Sequence, residues 1–203
     1  MRVKSRWFKG EREKTPQEIA GALAFIIWRI SENALRNVRK ADFDIAIGNQ
    51  YFAFLSEFLI FLVQVADRII YKQLSEEKRQ VFISALANRV AEIQAENQCE
   101  WLGNPVSEYK RIFIARLNQR AGEYAEFEYH GMDNSFSFIR NLATCMLDVV
   151  DEKDKSWVID QVMAIEVPEA VATLEKAMLN LFDSEQEPGL ESGKKPRHTH
   201  EAG

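Results

Sequence analysis

Fifty-four consecutive residues, Asn49 to Leu102, contain neither glycine nor proline. β-Sheet proteins depend on those two residue types for their turns, and a sandwich or barrel needs turn signals roughly every 8–12 positions. The whole 203-residue chain has nine glycines and five prolines, a little over half the usual share. The expected fold class is therefore all-α, a single-domain helical bundle of about seven helices. The same scarcity excludes collagen-like and low-complexity chains.

A single helix of that length would be about 80 Å long, too long for a compact domain, so polar residues must break it. Ser75 followed by Glu76 and Glu77 supplies a cap and first-turn acids that favour the helix dipole. This predicts helices over 50–73 and 76–97. The preceding helix has a sharper start. Thr15, Pro16 and Glu18 form a T-P-x-E start in which Thr15 and Glu18 make a capping box. Ile19, Leu23, Ile26, Ile27, Ile30, Ala34 and Val38 then recur on one face to about Lys40. Gly48 reads as a breaker and Asn49 as the next cap. Downstream, apolar periodicity predicts helices over 106–129, 136–151, 155–165 and 168–182, with Pro168 opening the last.

The bundle is expected over residues 15–182. Residues 1–14 form a basic arm with six Lys or Arg, two Glu, and Trp7 and Phe8 as apolar anchors. Such an arm could touch an anionic surface, but Glu11 and Glu13 dilute the charge, and a solvated, loosely ordered terminus is expected. Residues 183–203 hold five acids, three bases, two prolines and three glycines, with Leu190 the only sizeable apolar side chain. They bury too little to offset ordering entropy, and a disordered tail is expected.

Charge and cysteine usage bound the partners. Lys and Arg number 26 against 31 Asp and Glu, a net charge of −5, the opposite of a nucleic-acid coat. Cys99 and Cys145 stand far apart without a C-x-x-C, as in a reduced cytoplasmic protein. The most apolar stretch, Tyr51 to Ala66, is interrupted by Ser56, Glu57 and Gln64. A membrane span would need about 20 predominantly apolar residues, so a buried core helix is expected there.

Sites with recognisable chemistry are few. No G-x-S-x-G, Walker or dinucleotide-binding glycine pattern occurs, no Glu-x-x-His exists for a di-iron bundle, and no cofactor is expected. The weak metal candidates are Glu123, Glu126 and His130, which would share one face of a helix running to 129. They read more simply as a solvated face with a histidine at a helix end. His198 and His200 belong to the tail.

The 50–73 helix resists a simple reading. Glu57, Gln64, Arg68 and Tyr71 fall on one stripe, because seven and eleven residues return a helix to nearly the same face. Phe61 adjoins that stripe. Glu57 would be costly to bury unpaired; it reads either as part of a polar seam at the surface or as the partner of an arginine, with Arg29, Arg36, Arg116 and Arg120 as the choices. Tyr51, Phe52, Phe54, Phe58 and Phe61 lie within eleven residues, too many around the helix for one core stripe. Either neighbouring helices enclose them or they meet a second copy of the chain. The functional expectation is a non-enzymatic interaction protein that self-associates as a homodimer, with Glu57, Phe61, Gln64, Arg68 and Tyr71 as ligand or interface residues. The alternative is a small-molecule-binding or metal-dependent helical enzyme with a site between helices.

Overall fold

A computed structural model describes residues 14–71 and 73–183. The expectations for residues 1–13 and for 184–203 lie outside the described residues. Within them the chain is an all-α bundle of six helices without strands. Helix α1 is Pro16–Lys40, α2 Asn49–Ile70, α3 Glu76–Leu102, α4 Val106–Ala125 and α5 Phe136–Met146. Helix α6 begins as Lys155–Gln161, passes through a π-turn at Val162–Glu166 and continues as Val167–Asp183.

The starts of the helices follow local chemistry. The Glu18 amide donates to Thr15 Oγ1 at 3.2 Å, and the Thr15 amide donates to Glu18 Oε2 at 2.8 Å. This reciprocal pair satisfies two donors that the first turn leaves open. Ser75 caps α3 by accepting from the Lys78 amide at 3.4 Å. At the other end of α3, Gly103 sits at φ +85°, a left-handed cap that a side chain would oppose. That cap carries the helix to Leu102, five residues past the predicted end. Gly48, at φ +121°, precedes α2, so Asn49 is the first helical residue and not the cap.

Three further boundaries depart from expectation, the first two for a tertiary reason and the last for a local one. Helix α4 stops at Ala125 instead of 129. The Arg68 guanidinium from α2 donates to the Tyr124 carbonyl at 3.1 Å, and the Glu126 amide turns back on the Glu123 and Tyr124 carbonyls. The chain then bends so that the Tyr129 ring meets Phe138 at 5.2 Å. Helix α5 ends at Met146 instead of 151, where Gln50 donates to the Val149 carbonyl at 2.9 Å. The predicted pair 155–165 and 168–182 is one helix, which makes six and not seven. A proline inside an α-helix lacks a donor and crowds the carbonyl four residues earlier. The π-turn precedes Pro168, with the Val167 amide reaching five residues back to the Val162 carbonyl. The wider turn gives the ring room without ending the helix.

Helix α2 sits at the centre and touches all five others. Phe54, Phe58 and Phe61 are completely buried. Their rings form a train, Phe54 stacked on Phe58 at 5.8 Å and Phe61 against Phe138 of α5 at 5.8 Å. Tyr124 of α4 closes it, 4.6 Å from Phe138. Burying such rings contributes roughly 1.5–3 kcal/mol each. The aromatic concentration is thus answered inside one chain. Phe61 is buried within the chain, its ring against Phe138. Among the described residues no helix is long and apolar enough to cross a membrane.

Candidate functional site

The stripe on α2 does not form a pocket. Glu57, 4% exposed, is gripped by Arg120 of α4 in a two-pronged pair, with Nε 3.0 Å from Oε2 and Nη2 2.9 Å from Oε1. Arg120 also donates to Glu123 Oε2 at 2.8 Å, and Arg116 Nη1 stands 3.9 Å from Glu57 Oε1. The bond to Glu57 raises the affinity of Arg120 for its proton, more than burial opposes it. Planar guanidinium and carboxylate match in this geometry. Of the four arginines the sequence allowed, α4 supplies the two that approach Glu57.

The other stripe residues have separate duties. Arg68 caps the end of α4 and lies over the Phe138 ring at 6.0 Å. Gln64 is half-buried. Tyr71 is exposed and carries the Arg79 guanidinium 5.0 Å from its ring, while Arg79 pairs with Asp67 at 2.8 Å. The stripe is a seam that fastens α2 to α4, and its last residue turns to α3.

Cys145 of α5 is buried behind the Glu57 pair. Burial first, and the Glu57 charge second, push its thiol up to about 12, so it stays protonated and is a poor nucleophile near neutral pH. The metal candidates also separate. With α4 ending at Ala125, Glu126 and His130 leave the helical face they were expected to share with Glu123. Glu123 binds Arg120, and His130 Nε2 lies 2.9 Å from Glu128. Among the described residues no group of three or more His, Cys, Asp or Glu side chains is placed to hold a metal ion.

The arrangement most suited to a ligand involves a residue the sequence reading passed over. Glu166 ends the π-turn of α6 and is only 1% exposed. It occupies the same helical face as Val162 and Ala170, four residues on either side, and both of those are buried. The core-facing stripe therefore draws its carboxylate inward. Gln161 donates to Oε1 at 2.9 Å and Asn37 of α1 donates to Oε2 at 3.4 Å. Among the described residues no cation pairs with it. Burial pushes its carboxyl above the ordinary range, and Glu169 adds to that against the two amide bonds.

Glu166 lines a cleft of about 420 Å³ between α1 and α6. Its apolar wall is Ile26, Ile30 and Ala170, and Asn33, Asn37 and Glu169 supply the polar one. Arg29 stands exposed at the mouth, where solvent and salt screen its charge. The cleft thus joins an apolar body to convergent acceptors, the usual make-up of a small-molecule site. π-Turns are frequent at functional positions. A signal for Glu166 was present in VMAIEVPEA, an acid at four-residue spacing from buried Val162 and Ala170. Placing a helix boundary between 165 and 168 hid that periodicity.

No model of a known protein family, no curated protein and no solved structure matches this chain.

Proposed function

We propose that this chain is a helical small-molecule-binding protein whose ligand is a small organic cation held in the α1–α6 cleft. The observation that carries this reading is Glu166, a buried carboxylate fastened by two amides and left without a cationic partner. An ammonium group placed beside Glu166 would supply the missing charge, and Glu169 would reinforce it at 3-residue spacing along the helix. Ile26 and Ile30 would cover the ligand's apolar part. The reading keeps the inter-helix site that the sequence held as its alternative. Of the aromatic residues of α2 that motivated self-association, Phe52, Phe54, Phe58 and Phe61 are buried within the chain and Tyr51 is half-buried.

The test uses the full chain and three four-carbon probes, n-butylamine, n-butanol and butyrate, followed through the side-chain amide resonances of Asn37 and Gln161. Butylamine should shift them and bind at least tenfold more tightly than butyrate. Glu166→Gln, which keeps the shape and removes the charge, should weaken butylamine tenfold or more. If none of the three probes shifts either amide, or if butyrate binds as well as butylamine, the reading is wrong.

A further inference from the structure

A second cavity, of about 230 Å³, lies between α2, α3 and α4 and shares no residue with the α1–α6 cleft. Its deep wall carries Gln94 of α3, 1% exposed. Both hydrogens of the Gln94 amide are committed to α2. Nε2 donates to the Phe52 carbonyl at 3.4 Å and to Ser56 Oγ. The Ser56 hydroxyl itself donates to the Phe52 carbonyl at 2.8 Å. This network sets the orientation of the amide, because turning it over would bring Oε1 against a carbonyl oxygen. Oε1 is thereby left buried with no donor. Natural proteins rarely leave such an acceptor unmet.

Arg116 of α4 lines the same cavity. Its side chain is 41% exposed and stands 3.9 Å from Glu57, whose two oxygens Arg120 already occupies. Beyond hydrogen-bonding reach of that carboxylate, its guanidinium keeps its planar fork for an incoming anion. Between the two polar groups, Phe52, Ala53, Ile112 and Phe113 provide apolar wall. The volume is several-fold more than a single water needs. The lining thus combines an unmet acceptor, Gln94 Oε1, with a guanidinium suited to a carboxylate.

We infer that this cavity binds a small α-hydroxy or α-amino acid, with its carboxylate on Arg116 and its hydroxyl or ammonium group donating to Gln94 Oε1. The site is independent of the Glu166 cleft, and the two readings can fail separately.

The probes are L-lactate, L-alanine and propionate, the last having the carboxylate without the donor. Binding to the full chain is followed by calorimetry and by the Gln94 side-chain amide resonance. Lactate or alanine should bind at least tenfold more tightly than propionate and should move the Gln94 signal. Arg116→Gln, with helicity checked by circular dichroism, should lose tenfold or more of that affinity while leaving the response to n-butylamine unchanged. Because Arg120 continues to hold Glu57, this variant keeps the α2–α4 seam. Ser56→Ala offers a second handle, since it removes one acceptor of the Gln94 amide and should weaken the bound acid without touching Arg116. Three results would overturn the inference: no binding of lactate and alanine to the wild type, equal binding of propionate, or full affinity in Arg116→Gln. The first would mean that the cavity holds water alone.

Discussion

Among the described residues Glu57 and Glu166 are the two buried carboxylates, and the helices treat them oppositely. Glu57 stands among buried Phe54, Ile60 and Phe61, and Glu166 between buried Val162 and Ala170, so each is drawn inward by its neighbours. Glu57 meets a guanidinium that fits both of its oxygens. Glu166 meets only the amides of Asn37 and Gln161, and a cleft opens beside it. A carboxylate fully paired within the chain is a fastening between helices. One that lacks a cation yet borders open volume has capacity left for a ligand. Burial alone does not separate the two roles; the completeness of the partner set does.

The largest expected effect tests the fastening. Arg120→Ala leaves Glu57 in the interior with only Arg116, 3.9 Å away. Stability should fall by about 3–5 kcal/mol, the usual consequence of stranding a buried charge, as read by urea denaturation. A loss under about 1 kcal/mol would mean that water reaches Glu57 and that the pair is not a buried fastening. Thr15→Ala provides a yardstick between the two carboxylates, because it removes a surface cap whose geometry is complete. It should lower stability by about 1 kcal/mol in the same assay, and a neutral result would show that the first turn of α1 frays.

The smallest expected effect is at Glu166, and its sign carries the information. Folded Glu166 holds its proton more tightly than the unfolded side chain does, whose ordinary value is 4.5. Its contribution to stability is therefore complete below about pH 4.5 and is lost as pH rises through the elevated folded value. Glu166→Gln does not titrate. The stability of the wild type relative to this variant should decline as pH climbs from 4.5 and then level off. At pH 7 the two should differ by no more than about 1 kcal/mol, since the variant keeps the side chain's shape and loses at most one amide contact. A wild type that instead gains stability relative to the variant as pH rises would mean that Glu166 has a cationic partner after all, which would erase its contrast with Glu57.

Much of the bundle was legible because its signals are local. The Thr15–Glu18 box and the Ser75 start each act within one helical turn, and each works in the structure as a short window of sequence implies. The pairing of Glu57 with an arginine was legible only as one of two readings, beside a polar seam at the surface. Its partner was not legible, because Arg29, Arg36, Arg116 and Arg120 satisfy that pairing equally well until helices are placed in space. Glu166 was hidden for a different reason. Pro168 is a strong boundary signal in sequence, and only the π-turn shows that the helix continues through it, carrying the core-facing periodicity across residue 166.

What the sequence determined by itself is the all-α class and the beginnings of the helices, because scarce glycine and proline, 3.6-residue periodicity and side-chain caps act over a few residues. The tertiary structure decided where α4 and α5 stop, since the groups that close those ends, Arg68 and Gln50, come from a different helix. It also decided that Phe61 is core, by setting α4 and α5 against the face of α2 that the sequence left open. Above all it decided which buried acid is matched and which is not. That distinction depends on what stands across a gap of 3.0 to 3.4 Å between elements remote in the chain, and a single helix's pattern carries no information about its neighbour.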